Sequence, residues 1–377
     1  VHAPFNPICQ EINPMTVAKL ALTTLLTAFA TVYQLSAPLV FAAEQPFYGG
    51  KTVNVIAGFA PGGTIDIRAR LFGRHLSKYL PGNPSVVVQN MVGAGGLVAA
   101  NYTFSVAKPD GLTLLHFPSS TVMNTFLTAK ANVKYDIRQV PIIWLGSDSW
   151  LTVINPNTTG LKKAEELLKT ATQLRVGGSG VSSLRSLRPK LALELFGVDH
   201  TWVNGYKGSS DLLLAFEKGE IHLFEDPQDG YKANIQPREK SGNAAILWQT
   251  GIIGTDESFT RSKLLPQVPT LDEVLPKDKK SGARWQAWKA AVIPQAFQYS
   301  VGLHPGTPRD RIKALSDAFA KMTQDADFRV EFANALGEPP DAIVGDQADH
   351  IVKDGVKKLF EDFKAGVDYL RDMSKNK

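Results

Sequence analysis

Two glycine-rich turns in the first third of the chain carry residue types that can hold an anion with backbone alone. They are Phe59-Ala60-Pro61-Gly62-Gly63-Thr64-Ile65-Asp66 and Gly93-Ala94-Gly95-Gly96. Each stands between a strand-like run and a helix-like run. Val53-Asn54-Val55-Ile56-Ala57 precedes the first, and Ile67, Leu71, Phe72, Leu76 and Leu80 follow it near a 3.6-residue period. A helix therefore opens just after Gly63. Its first amides have no partner inside the helix, so a carboxylate or phosphate gains both hydrogen bonds and the helix dipole there. The glycines let such a ligand approach closely.

Other chemistry is poorly supported. Gly177-Gly178-Ser179-Gly180-Val181 lacks the last glycine of a nucleophile elbow, and the chain has neither a full Gly-x-x-x-x-Gly-Lys-Ser/Thr phosphate loop nor a His-Glu-x-x-His pair. The histidines are scattered; His222 alone has acidic neighbours at ligand spacing, and its alternating strand context reads as structural. No metal site or cofactor is expected.

The chain has 41 Lys and Arg against 36 Asp and Glu, a net charge of +5, with the signs interspersed. No basic block of the kind that tracks a nucleic-acid backbone is present, so no nucleic-acid partner is expected. Residues 1–42 read as an upstream extension to Pro14 followed by an export signal from Met15. That signal has one charge at Lys19, an uncharged run from Leu20 to Ala43 and a cleavage site at Val40-Phe41-Ala42. An uncleaved anchor is the alternative reading of this run. The single cysteine, Cys9, lies in the extension, so the mature chain has no thiol. Its expected location is the periplasm.

The elements that must position the turns alternate. Strand Thr52–Phe59, helix Ile65–Leu80, strand Ser85–Gln89, helix Gly96–Val106 and strand Thr113–Phe117 predict a parallel α/β sheet. A second unit follows. It comprises strand Trp150–Asn155, helix Lys163–Thr170, strand Leu174–Gly177, helix Leu187–Phe196, strand Thr201–Val203, helix Ser210–Lys218 and strand Ile221–Phe224. Ala244–Gln249 is a further strand, Thr255–Gly282 is polar and proline-bearing, and Phe297–Leu303 is a return strand. Helices are expected over Pro308–Thr323, with Thr307 as cap, and over Ala348–Met373. A chain that builds one lobe, crosses to another and returns leaves a cleft between them, where open α/β sheets bind ligands.

The first turn, then Ala69-Arg70, Val87-Val88-Gln89-Asn90, Gly93-Ala94-Gly95-Gly96 and Pro109-Asp110-Gly111-Leu112-Thr113-Leu114, resembles the signature of tripartite tricarboxylate transporter receptors, the Bug proteins. Gly205-Tyr206-Lys207-Gly208-Ser209-Ser210, Gly219-Glu220-Ile221, Asp226, Val268-Pro269-Thr270 and Pro305-Gly306-Thr307-Pro308 follow in the family's order. The resemblance implies a two-lobed α/β fold of the type II periplasmic binding protein class, a Venus flytrap with the ligand cleft between its lobes. It further implies a small mono-, di- or tricarboxylate ligand and delivery to a membrane transporter of one large and one small subunit. Lobe one is placed at residues 44–146 and 256–377, and lobe two at 147–255.

By the same resemblance, Ala60, Gly62, Gly63, Thr64 and Asp66, with Ser119 and Ser120, come from lobe one. Ser179, Gly180, Tyr206, Lys207, Gly208 and Ser209 form the opposing jaw, with Asp226 near the ligand's distal end. Each has a simpler alternative. Gly62 and Gly63 also suit a tight turn, Asp66 also suits a helix dipole, and a lone Lys207 is commonly solvated. Gly93-Ala94-Gly95-Gly96 reads as architectural. Arg185 and Arg188, three residues apart, depart from the family; they either grip a second carboxylate or lie on a solvated helix face capped by Pro189. Trp144, Trp150, Phe117 and Tyr206 either line an aromatic pocket or fill the core. A monomeric binding protein without catalysis is expected. A sensory receptor for a membrane kinase and a secreted enzyme on the same fold are the alternatives.

Overall fold

The structure, a computed structural model, describes residues 45–128, 132–181, 183–253 and 258–375 together with Met15. The export signal and its cleavage site lie outside the described residues. From Pro46 onward the chain forms one unit by its internal contacts.

Strand β1 (Thr52–Ala57) leads through the first glycine turn into helix α1 (Thr64–His75). Val53, Val55 and Ala57 enter one apolar cluster and Ile56 another, so β1 is covered on both faces, as a central strand must be. Next come β2 (Ser85–Asn90), α2 (Leu97–Ser105), β3 (Thr113–Pro118), α3 (Ser119–Leu127) and β4 (Ile142–Gly146). The chain then builds β5 (Trp150–Ile154), β6 (Leu174–Gly178), α4 (Leu184–Phe196), β7 (His200–Asn204), α5 (Ser209–Glu217), β8 (Leu223–Pro227) and β9 (Ala245–Gln249). A small antiparallel ribbon, β10 (Ile252–Ile253) with β11 (Phe259–Thr260), precedes α6 (Gly282–Val292). The return consists of β12 (Tyr299–Leu303), α7 (Arg309–Gln324), α8 (Ala326–Leu336), β13 (Ala342–Val344), α9 (Asp346–Phe360) and α10 (Lys364–Lys375).

Two sheets result, one in the order β13-β4-β12-β3-β1-β2 and one in the order β7-β6-β8-β5-β9. β1, β2 and β3 are parallel, as are β6, β7 and β8. The expectation of a wholly parallel sheet is corrected by β12, which runs antiparallel between β3 and β4, and by β13, antiparallel to β4. β12 arrives from the other lobe rather than through a right-handed helical crossover, so nothing forces it parallel.

Other expectations also shift. Lys163–Thr170 is a 3-10 stretch, Ala164–Lys169, because the Glu166 carboxylate turns back onto the N–H groups of Lys162 (2.6 Å) and Lys163 (3.0 Å). α4 starts at Leu184 and contains Pro189 in its second turn, where the missing N–H interrupts little of the ladder. Thr307 does not cap α7; its hydroxyl donates to His304 O, and Pro308 is the N-cap. Ala348–Met373 is two helices, α9 and α10. α6 was not foreseen because Trp285, Ala287, Trp288, Ala290, Ala291 and Val292 are all buried, leaving no polar face to mark a period.

The largest apolar cluster is continuous from one sheet to the other. It runs from Leu115 and Phe117 on β3, through Trp288 and Ala291 on α6 and Val367 and Leu370 on α10, to Leu187 and Leu191 on α4 and Val176 on β6. Gly366 makes this packing close: a Cβ there would strike the backbone of Gln286 and Ala287 on α6. Gly366→Val is therefore expected to cost about 1–3 kcal/mol through overpacking, read as a lowered urea midpoint with an unchanged slope.

Candidate functional site

The first turn is built by one carboxylate. Asp66, in the first turn of α1, is 2 % exposed and accepts from Gly62 N–H (2.9 Å), Arg70 Nε (2.9 Å) and Asn90 Nδ2 (2.8 Å). Asn90 Nδ2 also donates to Phe59 O (2.9 Å), so Asp66 and Asn90 together fix the loop from Phe59 to Gly62. Burial alone raises the pKa of this carboxyl, but its three donors outweigh that and hold it below the usual range. Gly62 adopts φ +82°, which a Cβ would strain, while Gly63 is the N-cap at φ −83°. No side chain accepts from the first-turn amides of α1.

Lobe two repeats the device. Gly208 is the N-cap of α5, again with no side-chain cap, and Asp211 accepts from Lys207 N–H (3.1 Å) as Asp66 does from Gly62. Each jaw thus combines a glycine N-cap with an aspartate three residues later that holds the loop from behind. The α5 loop is tied to the neighbouring one, since Gly205 and Tyr206 both donate N–H to Gly178 O (3.2 and 3.3 Å). Gly178 has no room for a Cβ between Ser186 and Asn204.

The two loop sets are joined through the crossing segments by buried hydrogen bonds. Ser119, at the start of α3, donates through Oγ to Gln298 Oε1 (2.6 Å). With its amide oriented by its neighbours, Gln295 donates to the same Gln298 oxygen (3.1 Å) and accepts from Arg188 Nη1 (2.6 Å). Arg188, 1 % exposed, pairs with Glu225 Oε2 (2.8 Å). Burial raises the Glu225 pKa against the opposing pull of Arg188. Arg185 donates to Glu225 O (3.0 Å), Ser209 Oγ (2.7 Å) and Asp226 Oδ1 (2.5 Å). Both guanidinium groups lie over the Trp150 ring, at 5.0 and 4.8 Å from its centroid. The solvated-face reading of Arg185 and Arg188 is therefore overturned: buried carboxylates at the end of β8 draw both inward.

A third arginine closes the set. Arg68, on the buried side of α1, pairs with Asp229 Oδ2 (3.0 Å) just beyond β8 and lies 3.7 Å from the Tyr299 ring centroid. The Tyr299 hydroxyl is 3.0 Å from Asp229 Oδ2 and 3.1 Å from Asp148 Oδ2. One hydroxyl proton serves only one of these contacts. The second contact requires a proton on one of the two aspartates, and burial raises Asp229 too, against the pull of Arg68. Burial and the neighbouring Asp229 push Asp148 well above the usual carboxyl range. Burial pulls His116, beneath Tyr299, down to about 3, with Arg68 adding to the shift. Beside this cluster is a cavity of about 30 Å³ lined by Arg68, Trp144, Asp148, Asp229, Phe332 and Glu338, room for a water or two and not for a carboxylic acid.

Among the residues expected from sequence, Ala60, Gly62 and Gly63 are exposed and Thr64 half-buried at the α1 loop. Ser119 is buried and Ser120 half-buried at the start of α3. Ser179, Gly180, Tyr206, Gly208 and Ser209 are half-buried, and Lys207 is exposed. Asp66 and Asp226 are buried and their oxygens accept from neighbouring groups of the chain; Asp226 takes Arg185, Ser209 Oγ (2.5 Å) and Asn234 Nδ2 (3.1 Å). Phe117 and Trp144 are core residues, and Tyr206 packs on the lobe-two core. Gly96 approaches Phe59 and Thr121 behind the first loop. Arg68, Asp148, Asp211, Asp229, Gln295, Gln298 and Tyr299 were not foreseen. Arg68 had one signal, a charge four residues before the fully buried Phe72 on the same helical face.

The chain thus has two α/β sheets, each with a glycine-capped helix start. The structure of the periplasmic binding protein BugD superposes with a TM-score of 0.61 at 22 % identity, covering 85 % of this chain and 99 % of BugD. MatC from Rhodopseudomonas palustris, solved with bound malate, gives a TM-score of 0.61 at 21 % identity over 86 % of this chain and 99 % of MatC. The chain belongs to the tripartite tricarboxylate transporter family receptors, whose sequence profile matches residues 69–360. BugT of Bordetella pertussis is 29 % identical over 259 residues, 67 % of this chain and 74 % of BugT. The family and its fold neighbours are solute-binding proteins rather than enzymes. Among the described residues no helix is long and apolar enough to cross a membrane, and no cluster of His, Cys, Asp and Glu could hold a metal ion.

Two predictions follow from these geometries. Asp66→Ala should lose about 2 kcal/mol in urea unfolding, because it strands the Gly62 and Asn90 donors, and should raise hydrogen exchange at Gly62 and Gly63. Asp148 is the reverse of the usual carboxylate: its folded pKa lies above the unfolded one. Its contribution to stability is thus largest in acid and falls as pH rises from about 4 toward the raised folded value. Asp148→Asn should remove that fall, so its urea midpoint should gain on the wild type between pH 5 and pH 8.

Proposed function

We propose that this protein is a periplasmic receptor that closes on a small carboxylic acid and hands it to a tripartite tricarboxylate-type transporter of one large and one small membrane subunit. The observation that carries the reading is the pair of helix starts, α1 and α5. Each has a glycine N-cap, no side-chain cap and a loop pinned from behind by an aspartate. Such amides are free to bind carboxylate oxygens, and two jaws of the same design stabilise the closed form by bridging one ligand. The malate in MatC, a family-like fold, accords with a carboxylate ligand.

In this reading Ala60, Gly62, Gly63, Thr64, Ser119 and Ser120 face the ligand from lobe one, residues 44–146 and 256–377. Ser179, Gly180, Tyr206, Lys207, Gly208 and Ser209 face it from lobe two, residues 147–255. Asp66 serves from behind the loop, and Asp226 acts through Arg185. Residues 1–42 carry the chain to the periplasm and are removed, and the receptor acts as a monomer without a cofactor.

The test is a thermal-shift screen of the chain from Ala43 against mono-, di- and tricarboxylates, with sugars and amines as controls. A ligand of the folded state raises the melting temperature with the logarithm of its concentration. A rise confined to acids is expected. Gly63→Trp should abolish it with the fold intact, since a Cβ at Gly63 meets only Ala60 O at 3.6 Å and its φ suits any residue. A shift by sugars or amines alone, or full acid binding by Gly63→Trp, overturns the reading.

A further inference from the structure

We propose that Arg185, not Asp226, meets the distal end of the ligand, and that it makes the receptor select acids with a second anionic group over acids carrying an ammonium group. The inference rests on the receptor reading above and assigns the specificity of the same site.

The argument is one of layers. Asp226 ends β8 at the floor of the lobe-two jaw and has no exposed surface. Its Oδ1 takes Arg185 Nη2 and Ser209 Oγ, both at 2.5 Å, and its Oδ2 takes Asn234 Nδ2 at 3.1 Å. A ligand ammonium would need this carboxylate, which is fully buried beneath Arg185 and already takes three donors. Above it is Arg185, with 11 % of its side chain exposed. Its Nε and Nη2 are engaged by Glu225 O, Ser209 Oγ and Asp226, and the Nη1 group has no acceptor among the described residues. Trp150 beneath the guanidinium fixes its plane.

Arg185 also stands in the first turn of α4 and bonds the first residue of α5, Ser209, so it ties two helix starts together. The N-terminal ends of both helices carry positive partial charge. The side of the jaw facing a ligand is therefore a donor surface backed by a cation. A carboxylate fits it, and an ammonium is repelled and finds no acceptor. Arg188, the neighbour on the same face, is excluded from this role because it is 1 % exposed and consumed by Glu225 and Gln295.

The experiment compares matched acids in which the distal carboxylate is replaced by an ammonium group: succinate with 3-aminopropanoate, glutarate with 4-aminobutanoate, and adipate with 5-aminopentanoate. Binding to the mature chain is measured by titration calorimetry. The wild type should prefer the ammonium-free member of the pair it binds by about tenfold or more, the scale of one charge-assisted hydrogen bond. Arg185→Gln removes the cation and uncovers Asp226, so that preference should collapse or reverse. Asp226→Asn leaves Arg185 charged and should keep or sharpen it, which also decides the matter if Arg185→Gln does not fold. Equal binding of both members by the wild type, an unchanged preference in folded Arg185→Gln, or a lost preference in Asp226→Asn overturns the inference and leaves the receptor reading intact. Silence from all six acids against the wild type overturns the inference, while the receptor reading stands or falls with the broader thermal-shift screen.

Discussion

Three arginines can be buried in this protein only because the carboxyl end of β8 supplies three carboxylates in five residues. Glu225 takes Arg188, Asp226 takes Arg185 and Asp229 takes Arg68. A guanidinium removed from water without a partner is far costlier than any packing it gains, so each pairing fixes where its helix can lie. Two pairs set the start of α4 against β8 inside lobe two. The third reaches α1 in lobe one, next to the first glycine loop. The positions of both jaws therefore depend on one short stretch of backbone.

The sheet elements were legible in the sequence because short apolar or alternating runs stand between turn residues. β1, β2, β3, β6 and β7 fall within two or three residues of expectation. The glycine turn before α1 was legible for the same reason: Gly62 occupies a backbone conformation other residues rarely adopt. Illegible were features set by partners distant in sequence. α6 is buried from Ala287 to Val292 and carries no periodic stripe there, and the direction of β12 depends on a chain that has crossed from the other lobe. Tyr299, Asp148 and Arg68 come together from segments between 80 and 231 positions apart, and no local pattern announces their meeting.

The site residues show the same division. Asp66 stood equally well for a ligand contact or a dipole partner, and the structure gives it a different job, holding Gly62 and Asn90 in place. Asp211 does this for Lys207 in the other lobe. An aspartate three residues after a glycine cap thus marks a loop held from behind, and the part that faces outward is backbone.

The apolar cluster shared by both sheets has a consequence for how the molecule comes apart. α6 and α10 belong to a cluster that reaches both sheets, so each lobe shares part of its interior with the other beside the cluster it holds alone. Lobe two, although continuous in sequence, relies on residues near the C-terminus to cover α4. The protein should accordingly melt as one cooperative block rather than as two modules. A nascent chain cannot finish its first lobe until the last helix has left the ribosome.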